Sequence, residues 1–533
     1  MASINIVSRD TPFRTNLKCF IICFFISFAN VQYGYDTAVI AAFQAMRGFL
    51  RVFGYRDPSL ASGWGIEPTH QQLITSFMNV GTMVGVLFTA AFARLPWGGR
   101  RNGIWAGSAI GFVGIGVQMG TDTIAGVCVG RTLVGVCNAF YITFANAYVS
   151  ETAPRHLRAV MGGLFGIMPT IGGTLGTVTV YLAKGIDNKL CYQIPLACLF
   201  FFPTMLCVVA LFIPESPRWL LVKNRKEEAE RALRTLRGQS LTEELFQEEF
   251  LEMVTGIEKE KMLASGASLK EIWQGANLRR TILCIGVYSS RAASGLWVFI
   301  AYGTYFFQQA GVSDPFAMSM YTHAAGIAGT VFAIWCSYRI LGRRAMMLFG
   351  TAGAVVCMAA AALGGTISPG TPQAAKNFMA WNVIYSVAYG GFAATISWPV
   401  SAEVVNSKLR VLTLSVATAI DYVFAWLIAF CSPYFINPRV LNWGMKYCWV
   451  WAGANVVTLI FFYFLLPEMN GRSLEEIDEL FEKRISVNDF ATYECECTKQ
   501  ARELATQKKV EATVLHSDLG LEEGDKAPGS GIL

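Results

Sequence analysis

Residues 99–101 read Gly-Arg-Arg, and residues 342–344 read Gly-Arg-Arg again, 243 positions later. A second repeat follows in register: Glu151 with Arg158, then Glu403 with Arg410, offset by 252. A third pairs Pro214-Glu215 with Pro467-Glu468, offset by 253. Each copy stands at the edge of long apolar segments. Charged punctuation that recurs in one order around apolar spans marks a duplicated membrane unit whose halves face a shared cavity. Solute movement, rather than chemistry on a bond, is the function class that this pattern points to.

Composition agrees. Only 15% of the 533 residues are charged, 53% are hydrophobic, and mean hydropathy is +0.42. A soluble domain carries roughly 25% charged residues, whereas lipid tolerates only backbone that is internally hydrogen-bonded. The net charge of +6 gathers beside apolar spans, which suits cytoplasmic loops and not nucleic-acid binding. Most of the fourteen Cys lie inside apolar runs and read as small buried hydrophobes, not a disulfide framework. Cys495 and Cys497 lack zinc spacing, so no metal or other cofactor is expected. The four His form no ligand or triad-like cluster, and no phosphate-binding glycine loop with Lys is present. An enzyme and a nucleotide-driven pump are both disfavoured.

A span needs about 20 mainly apolar residues. That rule predicts an all-α membrane protein of twelve transmembrane helices in two pseudo-symmetric six-helix bundles. The first six fall near 17–42, 72–94, 103–120, 124–147, 160–183 and 192–213. The second six fall near 281–308, 318–338, 346–365, 378–401, 412–435 and 445–466. The implied organisation is a cytoplasmic N-terminus at 1–16, bundles at 17–213 and 281–466, a cytoplasmic linker of short helices at 214–280, and a cytoplasmic tail at 467–533. Lys/Arg asymmetry between alternate loops puts both termini inside. Arg47, Arg51 and Arg56, in the first outer loop, run against that rule. The fifth span is crowded with Gly162, Gly163, Gly166, Gly172, Gly173 and Gly176. Small residues let helices approach closely, which serves tight packing and rocking alike.

An ionisable residue at mid-bilayer costs on the order of 2.5–3.5 kcal/mol on insertion scales. Asp36, Arg131, Arg291 and Asp421 all fall inside predicted spans. Asp36 and Arg131 can form a static buried pair, or a coupling device in which Asp36 alternates between Arg131 and a proton. Arg291 and Asp421 admit the same two readings and a third, in which they face the cavity and bind solute. Arg100, Arg101, Arg343 and Arg344 fit positive-inside anchoring. The equivalent placing of Glu151 and Glu403 suggests more: carboxylate–arginine pairs that clamp one conformation and break in another.

At these residues the chain resembles the sugar porters of the major facilitator superfamily, the fungal members above all. The matching pieces are Gly34-Tyr35-Asp36-Thr37-Ala38-Val39, Gly130-Arg131-Thr132-Leu133-Val134-Gly135, Ser150-Glu151-Thr152-Ala153-Pro154 with Arg158, and Pro214-Glu215-Ser216-Pro217-Arg218. In the second half they are Tyr302-Gly303-Thr304, Phe306 to Gly311, and Pro467-Glu468 with Ser473 to Asp478. The likeness runs from about 17 to 484. It implies alternating access, proton coupling through Asp36 and Arg131 in the symporters, and a cytoplasmic gate of Glu151, Arg158, Glu215, Glu403, Arg410 and Glu468.

The departures concern the cavity. The family reads sugar hydroxyls with amides, which donate and accept together. By alignment to its motifs, the fifth-span amide falls on Gly166, the seventh-span pair on Arg291 and Ala292, the next amide on Trp297 and the eleventh-span amide on Asp421. Trp398 alone matches among the sugar contacts that can be placed. Arg291 suits an acidic oxygen, and Trp297 and Trp398 suit a ring or an apolar face. Mutual neutralisation of Arg291 and Asp421 in a reshaped apolar pocket is the other reading. The expected function is a secondary, proton-coupled transporter, working as a monomer in the plasma-membrane bilayer. Its partners are protons and a small organic solute such as a polyol, an acidic sugar-like compound or a secondary metabolite. A hexose or disaccharide symporter and a transporter-like sensor without net transport stand as alternatives.

Overall fold

A backbone in lipid has no water to bond, so each apolar run closes its hydrogen bonds within a helix. The computed structural model describes residues 17–496, apart from 59–62, 155–157, 238–242, 265–267, 407, 471, 473, 491 and 494. Among the described residues the first bundle comprises Leu17–Phe43, Pro68–Arg94, Arg100–Gly120, Ile124–Thr152, Arg158–Ala183 and Leu190–Phe212. The second comprises Gly275–Gln309, Pro315–Arg339, Arg343–Ile367, Pro372–Val404, Arg410–Ile436 and Gly444–Leu465. Ten of these meet the length and apolarity needed to cross a bilayer. The fifth and eighth complete the set and pack on each other across the two halves. Sheet is confined to a two-residue antiparallel pair, Tyr55–Arg56 with Trp64–Gly65.

The duplication in sequence is a duplication in packing. The first span packs on the fifth as the seventh packs on the eleventh. The second packs on the fourth as the eighth packs on the tenth, and the third on the sixth as the ninth on the twelfth. The halves meet along second–eleventh, fifth–eighth and first–seventh contacts. Large apolar side chains such as Leu87, Leu182, Phe212 and Phe464 point outward, the arrangement of a surface solvated by acyl chains.

Glycines set the first–fifth contact. A Cβ on Gly34 would lie 1.8 Å from the Pro169 carbonyl oxygen, and one on Gly172 would lie 2.0 Å from that of Val31. The two backbones therefore touch. Gly173 turns the other way, where a Cβ would come within 2.8 Å of the His323 ring in the opposite half.

Two spans are locally rewound at matching places. Tyr141–Ala145 in the fourth and Ser386–Ala394 in the tenth are π-helical, a geometry that gathers at functional sites. The seventh span is broken at Gly295, whose φ of +85° suits a residue without a Cβ. The carbonyl freed at Ser294 accepts from Asn455 Nδ2 at 3.2 Å and from the Tyr385 hydroxyl at 3.1 Å.

The two ends differ. At the end bearing the Tyr55–Arg56 hairpin, the halves are laced together. Gln72 donates to the Phe430 carbonyl at 2.6 Å, and Asn437 to that of Ile66 at 3.0 Å. Lys184 meets Asp314 at 2.5 Å, and Arg439 meets Asp57 at 3.3 Å while lying 3.6 Å over the Tyr55 ring. Arg47 and Arg51, exceptions in the loop-charge pattern, both face Asp187. At the other end, helices Pro217–Val222, Lys226–Arg237 and Glu243–Ala264 cover the first bundle. Buried Arg237 fastens them, donating to the Thr152 carbonyl at 2.9 Å and to Glu249 at 2.6 Å.

Candidate functional site

The first bundle holds a closed ion pair. Arg131 Nη1 reaches both Asp36 oxygens, at 2.8 and 2.7 Å, with both side chains essentially unexposed. Its remaining donors reach the Ile74 carbonyl at 3.3 Å and Met78 Sδ at 2.9 Å. Distances this short are those of charge-assisted hydrogen bonds. Arg131 also borders a central cavity of about 20 Å³, with Thr37, Thr75 and Asn79 on one side and Trp297 and Ala425 on the other. The pair is thus one side chain away from the space between the halves.

The second bundle holds an open ion pair. Arg291 Nη1 stands 3.5 Å from Asp421 Oδ2, and Asp421 Oδ1 is buried without a hydrogen-bond partner among the described residues. The break at Gly295 brings Trp297 back beside Arg291, whose guanidinium lies 5.8 Å from the Trp297 ring and 5.2 Å from that of Trp398. Trp398 is half exposed and meets Tyr288 edge-on at 5.2 Å. Tyr288, Arg291, Ser397, Trp398 and Ser401 line a second small cavity. Behind it Tyr389 donates to the Ser290 carbonyl at 3.0 Å and stacks on Tyr385. Gly166 faces open space, whereas Ala292 is packed in the apolar core and lines neither cavity.

The repeated motifs build one device twice. Glu215 accepts from the backbone N–H of Arg100 at 2.8 Å and of Arg101 at 3.1 Å. Glu468 accepts from Arg343 at 2.9 Å and Arg344 at 3.2 Å. Each carboxylate seats on the open N-terminus of a helix, where free N–H groups favour an anion. A Cβ on Gly99 or Gly342 would lie 2.0 or 2.3 Å from that carboxylate, so the motif begins with glycine. Arg100 then forks onto Glu151 and Arg343 onto Glu403, with closest approaches of 2.7 and 2.8 Å. Arg100 and Arg343, from the Gly-Arg-Arg repeats, are thus partners of Glu151 and Glu403. The Arg158 side chain lies outside the described residues, and Arg410 is half-buried at the start of the eleventh span. Ser216, which reading the sequence missed, donates to Glu151 at 2.5 Å and sits one residue beyond Glu215.

A model of the family described as sugar (and other) transporter matches residues 22–481. The chain belongs to this sugar transporter family. It is 27% identical over 494 residues to a galactose transporter of Saccharomyces cerevisiae, covering 91% of this chain and 84% of that one. It is 26% identical over 484 residues to the major facilitator-type transporter ecdD of Aspergillus rugulosus, covering 88% of each. The fold matches that of the Escherichia coli xylose transporter XylE in a partially occluded, inward-open form, with a TM-score of 0.68. That match covers 86% of this chain and 100% of XylE at 16% identity. The curated relatives are transporters and a high glucose sensor of Saccharomyces cerevisiae, not enzymes, and the sugar transporter fold accounts for the twelve spans and their two-fold packing.

The Glu215 seat carries a titration that can be tested. Burial raises the Glu215 carboxyl above its ordinary 4.5, against the lowering pull of the Ser216, Arg101 and Arg100 N–H groups. A carboxyl with a raised folded value favours the fold when protonated. That contribution is full below pH 4.5 and is lost as pH rises through the folded value. Glu215→Gln cannot titrate. The melting-temperature advantage of wild type over Glu215→Gln is therefore expected to shrink as pH rises from 4.5; an advantage that grows across that window would contradict the assignment.

Proposed function

We propose that this sugar transporter family member is a proton-linked secondary transporter for a small organic solute other than a plain hexose. It works by alternating access. The observation that carries the reading is the Asp36–Arg131 pair, fully buried yet bordering the central cavity. An acid held ionised by one arginine loads a proton when that contact is withdrawn. Both termini and the 214–280 linker face the cytoplasm in this reading, the hairpin end faces out, and the protein resides in the plasma membrane as a monomer. The lacing of the hairpin end then makes this conformation closed to the outside. Glu151, Arg158, Glu215, Glu403, Arg410 and Glu468, with the paired arginines 100, 101, 343 and 344, form its cytoplasmic gate.

The substrate reading rests on residue types. An amide set that discriminates hydroxyls does so through its paired polar groups; here Arg291, Trp297 and Asp421 stand in those positions. The galactose-transporter relative favours a second reading, hexose symport. Uptake into proteoliposomes of labelled sugars, polyols and organic acids, with and without an inward proton gradient, separates the two. Gradient-dependent flux of a non-hexose solute is expected, abolished by Asp36→Asn. Hexose flux that survives Arg291→Gln would establish the second reading instead.

A further inference from the structure

Among the described residues, two buried polar atoms, Asp421 Oδ1 and Trp297 Nε1, lack hydrogen-bond partners beside an open ion pair in the second bundle. Arg291 and Asp421 stand 3.5 Å apart, beyond the 2.7–2.9 Å or so of a charge-assisted bond. The contrast with Asp36–Arg131, closed at 2.7 Å, is internal to the same molecule. Asp421 Oδ1 and Trp297 Nε1 are both orphaned in residues only 4% and 6% exposed. The Trp297 indole N–H lies within reach of the Asp421 carboxylate, but outside the geometry of a well-formed hydrogen bond. Each unmet buried group costs about 1–3 kcal/mol. The site therefore presents a cationic fork, one neutral donor and one anionic acceptor, with the fork lying over the half-exposed Trp398.

We infer that the solute is a small hydroxy-carboxylate with a flat or apolar face. Its carboxylate takes the Arg291 fork. Its hydroxyl donates to Asp421 Oδ1 and accepts from Trp297 Nε1, so one neighbouring group satisfies both orphans. Its ring or apolar face lies on Trp398, held edge-on by Tyr288. A plain hexose satisfies the hydroxyl-reading atoms but brings no anion to the fork. A simple carboxylate leaves Asp421 and Trp297 unmet. The solute adds a second negative charge beside a single cation, and a co-transported proton balances it; in this the inference rests on the proton-linked reading above.

Binding to the purified full-length protein tests it, using mandelate, phenylacetate (no hydroxyl), mandelamide (no charge) and D-glucose as probes. Mandelate is expected to bind about tenfold or more tightly than each of the other three, equivalent to about 1.4 kcal/mol. Arg291→Gln is expected to level mandelate with mandelamide. Trp297→Phe is expected to narrow the gap to phenylacetate while keeping the preference for charge. Arg291→Lys keeps the cation without the fork and controls for loss of folding. Equal binding of mandelate and mandelamide, tighter binding of glucose, or no binding of mandelate overturns the inference. Gradient-driven glucose flux unaffected by Arg291→Gln overturns it while leaving proton-linked transport standing. Mandelate binding without gradient-driven flux supports the ligand class and overturns proton coupling instead.

Discussion

Arg131→Leu is expected to cost the protein about 3–5 kcal/mol, the penalty for leaving a buried carboxylate without its partner, and to abolish transport. Asp36 is unexposed and receives two bonds from the one guanidinium. No other cation among the described residues forms an ion pair with it. Asp36→Asn removes the charge but keeps the shape and lets Arg131 hold the Ile74 carbonyl. That variant is expected to fold, to exchange solute across equal concentrations, and to lose accumulation driven by a pH gradient. Removing both charges, as Asp36→Leu with Arg131→Met, is expected to recover most of the stability and none of the coupling. A buried pair replaced by well-packed apolar side chains is often neutral for stability. Thermal unfolding of the three variants beside paired exchange and gradient-driven uptake checks the set. Gradient-driven accumulation by Asp36→Asn would remove that residue from the coupling step.

Gly34→Ala is expected to be nearly as damaging, by a purely steric route. Its Cβ would lie 1.8 Å from the Pro169 carbonyl oxygen, 2.6 Å from the carbonyl carbon and 2.8 Å from the Cα. These are backbone atoms of a helix, with no flexible side chain to swing aside. Overpacking typically costs 1–3 kcal/mol, occasionally more, and a clash this deep belongs at the upper end or beyond. Asp36 follows two residues later, so a displaced first span also draws the carboxylate from Arg131. Folded yield and transport should fall together. Gly166→Ala is the control: a Cβ there meets nothing within 4 Å, and stability is expected to change by no more than about 0.5 kcal/mol. Equal yields for Gly34→Ala and Gly166→Ala would show that the first and fifth spans separate more easily than their contact implies.

The spans and the intramembrane charges were legible because each has a one-dimensional signature. Twenty apolar residues read as a crossing wherever they occur, and Asp36 or Arg291 inside such a run is conspicuous without a partner in view. Partners are another matter. Glu151 pairs with Arg100, fifty-one positions earlier. The third and fourth spans bring that pair together, and no spacing rule reports which spans adjoin. The break at Gly295 was hidden because a glycine in a glycine-rich membrane protein carries little information until its φ is known. The π-helical turns at Tyr141–Ala145 and Ser386–Ala394 leave no mark on composition, since they change only which carbonyl an N–H meets. Alignment to the family motifs puts Ala292 at the cavity, but it faces the core; a one-position step along a helix turns a side chain by about 100°, and the helix break follows only three residues later.

The paired seats at Glu215 and Glu468 have a mechanical consequence. Each carboxylate joins the end of the last helix in its bundle to the start of the third, and each arginine fork joins the third to the fourth. Three of the six spans in each bundle are thereby tied together at one rim in this conformation. The alternating access proposed above would move the halves at the seam between them, where the second span lies on the eleventh and the fifth on the eighth. In that cycle the halves would act as two levers on a shared fulcrum, bearing on each other where Gly173 meets His323.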